Sequence, residues 1–229
     1  MKARPILFST SMVQALLEGK KTQTRRVVKD KKLGNRGVNS KNFSQISCES
    51  MRRQGGSAKQ YCPYGKVGDL LWVRETFIVG VPRDENDMPV MKNDDYVWKT
   101  WYRASNPELL WDNQGEKEHD NPPWKPSIHM PKSLSRLTLE ITNVRIERLH
   151  DISENDADAE GVDAANIKLQ EHELDSCNKY KFLKLWDQIN GEQSTNSNPW
   201  VWVINFDVHK CNIDQFLNGI PSDQITKND

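Results

Sequence analysis

Nine residues near the end of the chain restrict its fold more than any other stretch. Trp200, Trp202, Ile204, Phe206 and Val208 alternate with Val201, Val203, Asn205 and Asp207. Apolar spacing of period two over this length belongs to a core β-strand, because a helix would scatter the large side chains around its axis. A second alternating run lies upstream. Leu137, Leu139 and Ile141 alternate with Thr138, Glu140 and Thr142, the phase slips at Asn143, and Val144 and Ile146 resume it. The slip predicts a bulge or a bent strand, a device common in small barrels.

The other elements are shorter. Pro5 to Phe8 reads as a strand. Ser9 or Thr10 then caps a helix from about Ser11 to Glu18, and Gly19 supplies its left-handed stop. Gly68-Asp69 is a turn signal that leads into a strong strand over Leu70 to Val79. Alternation places Leu71, Val73, Glu75 and Phe77 on one face of it. A carboxylate in an apolar row must be paired, hydrogen-bonded or set at a wet pocket, and an arginine salt bridge is the plain reading of Glu75. Asp151 to Asp156 opens a helix in which Ser153 and Asp156 have capping-box spacing. Ala157, Ala159 and Glu160 continue it, and Gly161 ends it. Phe182, Leu185, Trp186 and Ile189 have helical spacing, with Asn190-Gly191 as the stop.

The order is strand, helix, strand, insertion, long bent strand, helices, strand. It predicts an α+β fold: a mixed sheet with few helices that closes as a small barrel or half-barrel. No internal repeat is present. Two polar insertions, at about 29–66 and 80–131, interrupt a single domain over residues 1–209. Residues 34–60 read as a long loop, and Tyr96 to Arg103 as a strand inside the second insertion. Residues 210–229 read as a peripheral tail.

Composition removes several function classes. The 229 residues carry no net charge, so no global field draws the chain to nucleic acid or membrane. No run reaches membrane-spanning length. Cys48, Cys62, Cys177 and Cys211 show no close pairing and no secretory start precedes them, so they read as reduced thiols of a cytoplasmic protein. Cys48, Cys62, His209 and Cys211 lack metal-finger spacing. There is no phosphate-binding glycine loop and no dinucleotide fingerprint. Neither a metal nor a cofactor is expected. Ser127 and His129 lack the surroundings of a nucleophile elbow.

The basic character is local. Residues 20–36 hold eight Lys or Arg against one acid, Asp30. At its front is Gly19-Lys20-Lys21-Thr22-Gln23-Thr24-Arg25-Arg26. Lys21 and Thr24 lie three apart, so a turn of helix or a tight loop would bring ammonium and hydroxyl together. A threonine hydroxyl is inert alone, but a lysine of lowered pKa takes its proton. Burial and the neighbouring Lys20, Arg25 and Arg26 would lower that pKa. The plainer reading is a solvated basic turn.

These residues resemble the activating-signal-cointegrator homology (ASCH) family, whose fold is a PUA-like β-barrel. The family signature, Gly-x-Lys-x-x-(Glu or Thr)-x-Arg after the first helix, is matched by Gly19, Lys21, Thr24 and Arg26. The Gly68 to Val73 turn and strand, and the Leu137 to Leu149 strand running into Asp151-Ile152-Ser153-Glu154, also fit. Cys62-Pro63-Tyr64-Gly65, Trp72-Val73-Arg74-Glu75-Thr76 and Ser127-Ile128-His129-Met130-Pro131 resemble the phage and prophage subgroup. The resemblance covers roughly residues 4–208.

The resemblance implies an amidohydrolase acting on N4-acetylcytidine-like pyrimidine nucleosides. Thr24 would be the nucleophile, Lys21 the base, and Glu160 the group that orients the lysine or protonates the leaving amine. Arg26 and Glu75 would shape the pocket, with Arg25, Arg74, Trp124 and His129 at the cleft. The alternative is an RNA-binding module, with ribonuclease activity as a variant, in which the 20–36 cluster meets phosphates and Trp98, Trp101 or Trp124 stacks on a base. A third reading is a phage protein that docks on a host factor through the tryptophan-rich insertion.

Overall fold

A computed structural model of the chain describes residues 1–28, 62–82, 88–93, 95–107, 124–162 and 176–219. Cys48, Trp111, most of the first insertion and residues 220–229 lie outside the described residues, as does the predicted loop at 34–60.

The fold is α+β. Its main sheet has five strands: β1 (Ala3–Leu7), β2 (Gln23–Val27), β3 (Leu70–Arg74), β8 (Thr138–Arg148) and β9 (Trp200–His209). Their spatial order is β1-β3-β8-β9-β2. β1 runs parallel to β3, and every other neighbour is antiparallel. The remaining strands form two short ribbons, β4 (Phe77–Gly80) with β7 (Lys99–Tyr102), and β5 (Met91–Lys92) with β6 (Asp95–Tyr96).

β8 and β9 form the centre. Ile141 pairs with Phe206 and Asn143 with Asn205, so the irregularity sits where the hydrophobic phase slips. Both faces of β9 are covered. Trp200, Trp202, Ile204 and Phe206 join one core with Ile6, Leu71, Val73, Leu139 and Ile141. Val201 and Val203 join another with Leu149, Ile152 and Ala157. The alternation marks two buried faces here, not a buried face and a wet one.

Helix α1 (Thr10–Leu17) links β1 directly to β2. The Ser9 hydroxyl caps it by accepting from the Met12 amide, and Gly19, with φ of 73°, stops it. Met12, Val13 and Leu16 pack into the first core. Helix α2 (Glu154–Ala159) starts at Ser153, whose hydroxyl accepts from the Asp156 amide, and gives way at Glu160 before Gly161. Helix α3 (Asn178–Asn190) sends Leu185 to the first core and Phe182 and Trp186 to the second.

β1 and β2 are opposite edges of the sheet, yet Arg26 of β2 donates from Nη2 to the Leu7 carbonyl of β1 at 2.9 Å. A flat five-stranded sheet would hold its edges about 19 Å apart, beyond the reach of one side chain. The sheet is therefore curled, with its two edges brought to a seam. Among the described residues no β1–β2 ladder closes that seam.

Three sequence expectations are corrected. The Gly19–Arg26 stretch is not one turn, because the turn ends at Thr22 and Gln23–Val27 is an edge strand paired with β9. The 70–79 strand breaks at Glu75-Thr76, where the chain leaves the main sheet for the β4–β7 ribbon. The segment after Lys210 is not peripheral at its start. Cys211 and Ile213 are buried, and helix α4 (Ile213–Leu217) begins at an Asn212–Gln215 capping box. Asn212 Nδ2 also donates to the Lys132, Ser133 and Ser135 carbonyls.

Candidate functional site

The ends of α1 and α2 meet back to back. The amides of Lys20 and Lys21 donate to the Ala15 carbonyl, and the Thr22 amide donates to Ala159 O. An isolated antiparallel bridge joins Lys21 to Glu160. Two helix C-termini thus converge on one lysine, the end of a helix that favours a cation.

Lys21 is 1% exposed. Its Nζ donates to Glu160 Oε2 at 2.7 Å and to the Glu160 carbonyl at 2.9 Å. Burial lowers its pKa. Glu160 opposes that, and the charges of Arg26 and Arg25 add to it. The net direction is downward, as the sequence predicts, although the opposing carboxylate arises from a residue 139 positions away.

Behind this pair lies a second set of charges. Arg25 donates through Nη1 to Gln23 Oε1 and to Glu160 Oε1, the latter at 3.2 Å, and through Nη2 to Glu147 Oε1 at 2.6 Å. Asp156 Oδ2 is 3.3 Å from the same Nη2. Arg145 pairs with Glu147 at 3.0 Å and Asp156 at 2.9 Å. Burial works against the Asp156 charge, but the Gln23 hydrogen bond, Arg145 and Arg25 outweigh it and hold the pKa at about 2. The Arg25 guanidinium is thus shared among Glu147, Asp156 and Glu160, and through the last it helps to hold Lys21. Gln23, Glu147 and Asp156 are parts of the site that the sequence reading missed. The available signal was the Arg145–Glu147 spacing on one face of a strand.

Thr24, 1% exposed, and Arg26 share the other face of β2. Arg26 Nη1 donates to Thr24 Oγ1 at 3.0 Å and to the Arg25 carbonyl at 3.1 Å. No hydrogen bond joins Lys21 Nζ to Thr24 Oγ1. Both line one cavity of about 270 Å³. It lies in the seam, walled by Leu7 and Phe8 from the β1 side, by β2, and by Phe182, Leu185, Trp186 and Ile189 of α3. The cleft was expected between the signature and the helix carrying Glu160. Glu160, the C-cap of α2, lines the cavity together with the signature residues, and α3 adds a further wall.

Lys21, Thr24, Arg25, Arg26 and Glu160 are brought together, whereas Arg74, Glu75, Trp124 and His129 do not line the cavity. Glu75 is buried in a two-pronged pair with Arg136, at 2.9 and 3.0 Å, so the plain reading of it holds. Arg74 donates to the Met130 and Ile128 carbonyls and pins the 126–131 segment. His129 is exposed and Trp124 half-buried. Among the described residues no cluster of His, Cys, Asp or Glu is placed to hold a metal ion, and no helix is long and apolar enough to cross a membrane.

Gly161 tests how tightly Lys21 is seated. Its φ is 74°, and an added Cβ would lie 2.9 Å from Ala15 Cβ and 3.1 Å from Lys21 Cβ. Gly19 has the same φ within a degree but open space around it. Gly161→Ala is expected to lose about 1–3 kcal/mol more than strain alone would cost, with Gly19→Ala as the reference for strain. Urea unfolding of both variants measures it. Equal losses would mean that nothing at Gly161 presses on the lysine.

No family model, no curated protein and no solved structure matches this chain. Its chemistry is therefore read from the geometry of the cavity.

Proposed function

We propose that the chain is a cytoplasmic amidohydrolase of the ASCH kind, with a PUA-like half-barrel whose edges meet at the β1–β2 seam without a ladder between them, acting on an acylated pyrimidine nucleoside such as N4-acetylcytidine. One observation carries the reading: an enclosed lysine of lowered pKa, fixed by two bonds to one glutamate, opens on the same cavity as a threonine hydroxyl. Two of its N–H groups are taken by Glu160. In the neutral amine the lone pair then remains for a proton.

In the proposed reaction neutral Lys21 removes the Thr24 proton, and Thr24 Oγ1 adds to the acyl carbon. The carbonyl π electrons move to oxygen, and Arg26, bonded to Thr24 Oγ1, supplies positive charge for that oxyanion. Collapse breaks the acyl C–N4 bond, and the exocyclic 4-amino group of the base leaves with the proton from Lys21. Water, deprotonated by the same lysine, adds to the Thr24 ester. Collapse releases the carboxylic acid and returns the hydroxyl. Glu160 orients Lys21 in this scheme and is not the proton donor. A cavity of about 270 Å³ suits one base and its substituent, not a stretch of strand.

The test is chromatography of N4-acetylcytidine incubated with the purified protein. Cytidine and acetate should appear, and Thr24→Val should slow their release by at least about 100-fold. Absence of product at high enzyme concentration would reject the substrate. A wild-type rate in Thr24→Val would remove the threonine from its role.

RNA binding has one observation in its favour. Tyr96 and Trp98, two residues apart at the end of the β5–β6 ribbon, are both exposed, and exposed aromatic rings are what bases stack on. The described part of the basic cluster does not help it. Lys20 pairs with Glu18, Lys21 with Glu160, and Arg25 with three carboxylates, which leaves Arg26 for phosphate.

A further inference from the structure

The charges at the cavity do not balance when Lys21 is protonated. Lys21, Arg25, Arg26 and Arg145 face Glu147, Asp156 and Glu160. All three carboxylates are taken by Lys21, Arg25 and Arg145. Arg26 is bonded to neutral oxygens alone: Thr24 Oγ1, the Arg25 carbonyl and the Leu7 carbonyl. A guanidinium has five donors. Three are used, so Nε–H and one Nη2–H have no partner among the described residues. Arg26 lies 5.1 Å over the Phe8 ring, on the cavity wall, and Tyr64 and Glu160 act on it through charge without a hydrogen bond. A half-buried cation with spare donors and no carboxylate bonded to it is arranged to receive an oxyanion, whose oxygens match the guanidinium fork.

We propose that the cavity binds a small oxyanion of its ligand, carboxylate or phosphate, against Arg26. The proposal rests on this cavity being the reactive site, but not on which bond is cut there. Two sources supply the chemistry. One is the carboxylate that amide hydrolysis releases, which makes the free product a ligand of its own enzyme. The other is the phosphate of a nucleotide. Charge balance links the site to Lys21. With Lys21 neutral, three arginines offset three carboxylates. An entering anion then favours a proton on Lys21, so anion affinity falls as pH rises through the Lys21 pKa. The groups facing Lys21 are Glu160 behind it, Arg25 and Arg26 from β2, and, through Arg25, Glu147 and Asp156.

The experiment is calorimetric titration of the full chain with sodium acetate, cytidine 5′-monophosphate and neutral cytidine, at pH about 6 and about 9, in buffers of different ionisation heat. We expect at least one anion to bind about 10-fold tighter than cytidine, more tightly at the lower pH and with proton uptake. Acetate binding marks the product as the source, and binding of the monophosphate alone marks the nucleotide. Arg26→Gln should lose about 10-fold in anion affinity and Arg26→Lys only a few-fold, at matched melting temperatures. Equal binding of cytidine and its monophosphate with no acetate binding would overturn the proposal. So would anion binding by Arg26→Gln at wild-type strength. Turnover of N4-acetylcytidine without anion binding sinks this proposal and leaves the hydrolase standing. Anion binding without turnover does the reverse.

Discussion

Lys21→Met is expected to lower kcat/KM on N4-acetylcytidine by about 10²–10⁴ while leaving the chain folded. Methionine keeps most of the buried volume, and Glu160 retains Arg25 as a partner at 3.2 Å. In the wild type the rate should rise with pH, because the base works only when Lys21 is unprotonated. The rising limb should lie below the ordinary lysine range, since burial, helped by Arg26 and Arg25, outweighs the pull of Glu160. Glu160→Gln then makes a prediction of opposite sign to a simple loss. It removes the group that favours the charged amine, so the limb should move to still lower pH even as the plateau falls through poorer positioning. A pH profile of kcat/KM for the three proteins reads both effects. Turnover within about threefold of wild type in Lys21→Met would end the assignment of lysine as base.

The scaffold was legible where one physical signal acted alone. Ser9 and Gly19 bracket α1, Ser153 and Gly161 bracket α2, and the phase slip at Asn143 marks the irregular point of β8. Each is a local rule of capping, left-handed φ or pleat. β2 was not legible, because Gln23, Thr24, Arg25 and Arg26 carry no apolar alternation. They form a strand because β9 supplies the ladder and because distant carboxylates neutralise the arginine. In the site, the signature gave Lys21, Thr24 and Arg26, and resemblance gave Glu160. Glu147 and Asp156 were hidden, since nothing in the alternation of β8 singled out the first and the second has the spacing of a capping residue. The resemblance drew Trp124, His129, Arg74 and Glu75 toward the cleft. In the structure the Ile128 and Met130 carbonyls hold Arg74, and Arg136 holds Glu75. The wall from α3 was visible as an amphipathic helix, but nothing local told whether Phe182, Leu185 and Trp186 meet only core or also a cavity.

Glu160→Leu is expected to be the most destabilising single change at the site, by about 3–5 kcal/mol at neutral pH, because it leaves buried positive charge without its partner. The loss is not shared equally between the two cations. Arg25 keeps Glu147 at 2.6 Å and Asp156 at 3.3 Å, and an arginine does not shed its proton. Lys21 has Glu160 as its carboxylate partner at 2.7 Å and escapes by deprotonating. Its folded pKa in the variant then lies further below that of the unfolded chain. The unfolded state binds more protons, and the stability of Glu160→Leu should climb with pH between the two values. The double variant Lys21→Met with Glu160→Leu removes both members of the pair and should recover much of the loss, since apolar groups of similar size often replace a buried ion pair without penalty. Urea unfolding at several pH values measures the whole cycle. A pH-independent deficit in Glu160→Leu, or a double variant as unstable as the sum of the singles, would place the cost in the Glu160 backbone bridge or in Arg25, and Lys21 would lose the enclosed, glutamate-held state on which its reactivity depends.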